Sequence, residues 1–272
     1  MSHDDVIPRE SVRYGAYVCL RLGDAVDRRA LQATAVPALA ARLGLASEFE
    51  AVEPLPRAAI AFLRRLDGRA GDIADDDVLQ ADGVIHVAAA TRDPVAEFCD
   101  EVTRLLAPAL RPRILGGVVR PLAYTGAAMN NFAYAHRVLQ RPGPAMPHAF
   151  LLPMSKTAAW WAKDWMERHT YFLPRYDDAG RMTADGHALA AAAGIPCLLR
   201  RTYKAETEPA PEGAYDFVTY FECADADVPT FHRVVASLRD VRKNPEWQFV
   251  REGPTWHGQR VATWPDVFTR GS

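Results

Sequence analysis

The chain has few cysteines, no excess of basic charge and no long apolar run, and each shortage removes a class of function. Only four cysteines (Cys19, Cys99, Cys197, Cys223) occur in 272 residues. None forms a CxxC pair, which speaks against a zinc knuckle or a redox dithiol. Lysine and arginine total 32 against 34 acidic residues, a formal charge of −2. No cationic surface is therefore expected, and nucleic acid is not an expected partner. The apolar runs are too short to span a membrane. The opening "MSHDDVIPRESVR" has acidic residues and no apolar core, so no secretory leader is expected. The expected setting is cytoplasmic and reducing, with free thiols. HExxH, GxSxG, GxGxxG and GxxxxGK[ST] elements are missing, which weakens zincin, serine hydrolase, dinucleotide-binding and phosphate-loop readings.

What the chain has is apolar content, 49% of residues, enough for one large domain or two ordinary ones. Residues 13–22, "RYGAYVCLRL", mix β-branched, aromatic and apolar side chains as a partly buried strand does. Asp27 is a candidate cap for a helix reaching Leu43, which Pro37 must kink or divide. A strand over 83–92, a helix over 93–110 capped at Asp93, and a strand over 111–120 with a glycine bulge complete the first half. The second half repeats the grammar. Residues 148–154 read as a strand, and a tryptophan-rich helix follows from Lys156. Strands are expected over 197–206 and 215–224, then a helix striped by Phe231, Val234, Val235, Leu238 and Val241, then a last strand over 246–254. Two strand–helix–strand copies suggest paired ferredoxin-like α+β units, with 124–147 as the connector. The halves are divided as 1–140, divergent, and 141–272.

Few residues stand out chemically. His187 opens a short run of alanines and Leu189, small enough to let a flat group lie close. Taken alone, it reads either as a helix-start residue bonded to nearby backbone, the commoner case, or as a neutral imidazole able to ligate iron. Arg200 and Arg201 are adjacent on a strand, so they point to opposite faces. One of them could enter a sheet-lined cavity and hold an anion. Trp160, Trp161 and Trp165 read as core more readily than as a cofactor wall. His169 and His257 read as helix-end and loop residues.

Four stretches then occur in a telling order: "LPMSKTAAWW" (152–161), "RMTADGH" (181–187), "DFVTYFE" (216–222) and "SLRDVRKNPEWQFVREGP" (237–254). Together they resemble the chlorite dismutase family, which includes the coproheme decarboxylases. The resemblance covers roughly residues 148–262. It implies a dimeric α+β barrel of two ferredoxin-like halves, with haem in the C-terminal half and homo-oligomeric rings of five or six subunits. It places the proximal haem ligand, the metal-binding residue, at His187, and the distal catalytic arginine at Arg200 in "RRTY". Trp160 and Trp161 become cofactor-binding candidates. The implied cofactor is haem b, with coproheme as the alternative. The implied activity is oxidoreductase chemistry on a small oxyanion or peroxide at an open iron site, with no nucleic-acid or membrane partner.

The departures from the family pattern carry expectations of their own. Where coproheme decarboxylases carry a reactive tyrosine, this chain has Leu152, which argues against decarboxylation by that route. The carboxylate that often hydrogen-bonds the proximal histidine falls on Lys243, with Glu246 the nearest replacement. Without such a carboxylate, iron would be less electron-rich. The stretch between Trp161 and His187 is long and includes "RYDDAGRM" (175–182), which makes His169 the fallback ligand and offers a lid. The competing readings are a coproheme decarboxylase using another residue, an aldoxime dehydratase-like haem enzyme, and a cofactor-free barrel.

Overall fold

Alternation along the first strand sets the plan of the molecule. In β1 (Tyr14–Leu20), Ala16, Val18 and Leu20 join one core, while Tyr17 and Cys19 join another. The computed structural model describes residues 14–23, 26–49, 58–67, 76–107, 109–110, 112–119 and 145–269. The expected boundary at 140/141 and nearly all of the 124–147 connector lie outside these residues.

After β1 come α1 (Arg28–Gln32) and α2 (Val36–Arg42). The Asp27 carboxylate accepts from Arg29 N at 2.9 Å and caps α1. Pro37 lies in the first turn of α2, so it divides the expected helix rather than kinking it. Next are β2 (Ala46–Ser47), β3 (Ala58–Arg65), β4 (Gly83–Ala89), α3 (Arg92–Leu106) and β5 (Arg113–Val119). Thr91 is the N-cap of α3, which places Asp93 in the first turn and not at the cap. The helix buries Val95, Phe98, Val102 and Leu106 against the outer face of β1 and β4.

The glycine bulge expected in β5 is not there. The strand pairs residue for residue with β1, from Tyr14↔Val118 to Cys19↔Arg113. Its glycines serve close approach instead: a Cβ on Gly117 would stand 1.9 Å from the Lys204 carbonyl oxygen.

The second half contains β6 (His148–Lys156), α4 (Ala158–Trp161), α5 (Trp165–Thr170), the small hairpin β7 (Arg175–Tyr176) and β8 (Met182–Ala184), and α6 (Gly186–Ala191). Then follow β9 (Leu199–Lys204), β10 (Phe217–Cys223), α7 (Val228–Arg239), β11 (Val250–Glu252) and β12 (Trp256–Val261). The last strand expected over 246–254 is a 3-10 turn at Pro245–Phe249 running into the short β11. Strands β3 and β12 are not among the elements expected from the sequence.

Strand order is β5-β1-β4-β3 in one half and β12-β6-β10-β9 in the other, the arrangement of a βαββαβ ferredoxin-like unit twice over. Pairings β5–β9 and β3–β12 join the halves, and the β10–β6 pairing completes a ring of eight antiparallel strands. The fold is thus α+β, two ferredoxin-like halves in one barrel. Helices pack outside it, α3 on the first half and α7 on the second. Inside the ring lie Tyr17, Tyr203, Tyr220 and Trp256. No helix among the described residues is long and apolar enough to cross a membrane.

Candidate functional site

Outside the second half of the barrel, between its sheet and helices α6 and α7, lies a cavity enclosing about 1150 Å³ of space, its open mouth included. Strand parity decides what faces it. Thr202↔Thr219↔Leu152 form one row across β9, β10 and β6, and Arg200↔Phe221↔Phe150 form the next. Arg200, Thr202, Phe217, Thr219, Phe221 and Leu152 all line the cavity, with Val234, Val235 and Leu238 of α7 opposite. The wall is mainly apolar with a few polar groups, the usual makeup of a small-molecule or cofactor pocket. The Thr202 and Thr219 hydroxyls are 3.1 Å apart.

His187 reaches this cavity because Gly186 precedes it. Gly186 has φ +67°, and a Cβ there would stand 2.3 Å from the Leu173 carbonyl oxygen. Only glycine takes that conformation without strain. Its N–H donates to the Lys243 carbonyl at 2.9 Å, which ties the start of α6 to the segment that follows α7.

The buried His187 imidazole places Nδ1 2.6 Å from Glu246 Oε2. The other Glu246 oxygen accepts from the Lys156 ammonium. Burial alone would raise the Glu246 carboxyl, but Lys156 and then His187 outweigh it and hold the group well below the usual carboxylate range. An ionised carboxylate only accepts, so Nδ1 is the nitrogen that donates to Glu246, and in the neutral imidazole Nε2 is then the one with the lone pair. Glu246 is set in place by Asn244, which is fully buried and donates from Nδ2 to the Leu238 carbonyl at 3.0 Å.

A carboxylate therefore does reach His187. It is Glu246, while Lys243 is exposed and contributes its backbone. His169 sits on α5 and is not among the residues that line the cavity. The 175–182 stretch forms the β7–β8 hairpin, and none of its residues lines the cavity either. Trp160 is completely buried behind the site, its ring 4.3 Å from Lys156 Nζ and packed on Phe172 and Ala188. Trp161 stacks on Phe217 with ring centroids 6.3 Å apart. Neither tryptophan is among the cavity-lining residues; each backs one that is. Arg201 points into the barrel, as its parity requires, and pairs there with Glu48 at 3.2 Å. Sequence reasoning missed Lys156 as a site residue. The signal was a lone lysine ending an apolar strand.

No family model matches the chain, and no curated protein matches it. Solved structures do. The fold is similar to that of chlorite dismutase from Candidatus Nitrospira defluvii. One arginine-substituted variant of that protein matches with TM-score 0.64 at 19% identity, covering 96% of this chain and 98% of that one. Its complex with imidazole matches with TM-score 0.63 at 19% identity, over 94% and 93%. A tryptophan-substituted variant in complex with cyanide matches with TM-score 0.62 at 18% identity, over 94% and 92%. The likeness to chlorite dismutases suggested by the four sequence stretches is thus a likeness of the whole fold, first half included.

Proposed function

We propose that this protein is a haem-dependent oxidoreductase that binds a small oxyanion or peroxide beside an open iron site in the cavity. The observation that carries the reading is the buried His187–Glu246–Lys156 chain on a wall of the same cavity that Arg200 lines.

The residues present fit the group. A metal-ligating histidine characteristically gives its other ring N–H to a carboxylate, which fixes the tautomer and makes the ligating nitrogen more basic. His187 does this with Nδ1, which leaves Nε2 as the nitrogen that would hold iron. The apolar lining suits a flat macrocycle. Haem bound there supplies an iron centre able to exchange oxygen atoms and electrons with a small substrate.

The chain's own residues do the rest. Lys156 keeps Glu246 ionised, and Glu246 orients His187. Arg200 holds the substrate anion through charge-assisted hydrogen bonds and stays charged throughout. Thr202 and Thr219 offer hydroxyl donors on the strand face that carries Arg200. Phe217, Phe221 and Leu152 exclude water, which strengthens the hold on the anion. Leu152 lines this cavity without an oxidisable hydroxyl, which favours oxyanion or peroxide chemistry over propionate decarboxylation.

The test is to titrate the purified chain with haem b and, separately, with coproheme. One equivalent of either should give a Soret band that His187→Ala loses. The spectrum distinguishes the two tetrapyrroles, and oxygen release from chlorite against dye oxidation by peroxide distinguishes the substrates. A parent chain that binds neither tetrapyrrole is a cofactor-free barrel, and the proposal fails.

A further inference from the structure

The barrel interior holds a second cluster of aromatic and ionisable side chains that the cavity chemistry does not use. Tyr203 of β9 is fully buried there, on the sheet face opposite Arg200 and Thr202. Its hydroxyl lies 2.9 Å from His86 Nε2. His86 Nδ1 lies 3.2 Å from Glu48 Oε2. Arg201 reaches both Glu48 oxygens, at 3.2 and 3.3 Å.

Protonation follows from these contacts. Burial pushes the Glu48 carboxyl up, but Arg201 and His86 outweigh it and keep the group ionised. Burial, with Arg201 beside the ring, lowers the His86 pKa and favours the neutral imidazole, against the pull of Glu48. Arg201 Nη1 lies 3.0 Å from His86 Nδ1 and 3.2 Å from Nε2. Glu48 can only accept, so in the tautomer that satisfies it His86 carries its proton on Nδ1 and offers the Nε2 lone pair to the Tyr203 O–H. Burial raises the Tyr203 phenol, so it keeps its proton at neutral pH. The result is a phenol aimed at a neutral base that a carboxylate backs, all out of water.

We propose that Tyr203 is a redox-active tyrosine, losing one electron to an oxidant while its phenolic proton passes to His86 Nε2. The O–H bond breaks and an N–H bond forms. The electron reduces the oxidant by one unit, and a neutral tyrosyl radical remains beside an imidazolium that Glu48 stabilises. The natural oxidant rests on the haem reading above: it is the oxidising equivalent that a peroxide or oxyanion delivers in the cavity. Thr202, the preceding residue, lines that cavity, so a single strand separates the two sites.

Two further features suit this role. The Tyr17 ring stands 5.7 Å from Tyr203, 4.7 Å from His86 and 5.6 Å from Tyr220, a contiguous aromatic array that can share or pass on the oxidation. Gly15 makes room for Tyr203, since a Cβ there would stand 2.2 Å from the ring.

The test uses the full chain without haem, oxidised by a flash of photo-oxidised tris(bipyridine)ruthenium and read by the tyrosyl EPR signal. The parent should show a slow phase decaying at least about tenfold more slowly than the exposed tyrosines, because a water-excluded site keeps side reactions out. Tyr203→Phe keeps the ring and should lose that phase. His86→Asn should lose its solvent deuterium effect, with circular dichroism confirming the fold. Should His86→Asn not fold, Tyr203→Phe decides alone. A slow phase of equal size in Tyr203→Phe overturns the proposal. The haem-loaded chain treated with peroxide should give the same signal. A radical after the ruthenium flash but none after haem and peroxide keeps Tyr203 and rejects haem as its oxidant.

Discussion

Replacing Glu246 by glutamine separates the structural from the functional work of the site. The Lys156 and Glu246 side chains are only 4% and 5% exposed, so the change leaves a buried ammonium facing a neutral amide. Removing one partner of a buried ion pair destabilises by about 3–5 kcal/mol. For a chain of this size each kcal/mol moves Tm by about 2–4 °C, so Tm should fall by roughly 6–20 °C. Removing both charges with Lys156→Met and Glu246→Leu together should return most of that loss, since apolar replacement of a whole buried pair is often neutral or better. Haem retention should behave differently. It should drop about 10–100-fold in the single variant and stay low in the double, because neither restores an anionic acceptor for His187 Nδ1. Thermal melts followed by circular dichroism and haem titrations followed by the Soret band read the two effects separately. A single variant melting within about 2 °C of the parent would refute the claim that Glu246 neutralises a buried charge.

Other expectations are simpler. His187→Ala should fold and lose the Soret band on haem addition; an unchanged band would move the ligand elsewhere. Arg200→Ala should keep the fold and haem while turnover of an anionic substrate falls about 10²–10³-fold, the usual loss for one preorganised donor, and equal steady-state rates would remove it from the mechanism. Acid stability follows from Glu246 and Glu48, both held below the ordinary glutamate value of 4.5. Their contribution is complete above that value and is lost as pH falls through it towards their folded values. The urea midpoint should therefore hold down to about pH 5 and then decline, less steeply in Glu246→Gln. Gly15→Ala should destabilise by about 1–3 kcal/mol through its clash with Tyr203. Gly23→Ala, whose new Cβ would meet nothing nearer than 3.7 Å, should act as a near-neutral control in the same melts.

Local signals were readable where the chain decides its own geometry. Asp27 caps, Pro37 divides a helix, and Phe231, Val234, Val235 and Leu238 bury one face of α7 as their spacing requires, whereas Val241, expected in the same stripe, lies past the helix end and is exposed. The adjacent arginines on β9 take opposite faces, one to the cavity and one to the barrel interior. What escaped was set by distant partners. β3 reads "AAIAFLRR", and alanine is a poor strand former in isolation. It is a strand because β4 and β12 flank it. In β12, Trp256, Gly258 and Arg260 face inward, and Gly258 is needed because the Trp256 ring and the Arg64 carbonyl fill the place of a Cβ. The offset from Lys243 to Glu246 has a similar origin. The 3-10 turn after Asn244, not linear spacing, decides which side chain meets His187.

The placement of β12 between β3 and β6 also bears on how the molecule is made. A ribosome delivers β3 almost two hundred residues before the strand that must lie beside it, and until then one edge of the first sheet has no partner along Phe62–Arg65. Ring closure is thus among the last contacts available to the growing chain, and loop-closure entropy makes so distant a pairing slow. A nascent chain stalled before Trp256 would present an unpaired strand edge, the surface on which chaperones act and on which copies of an unfinished protein clump.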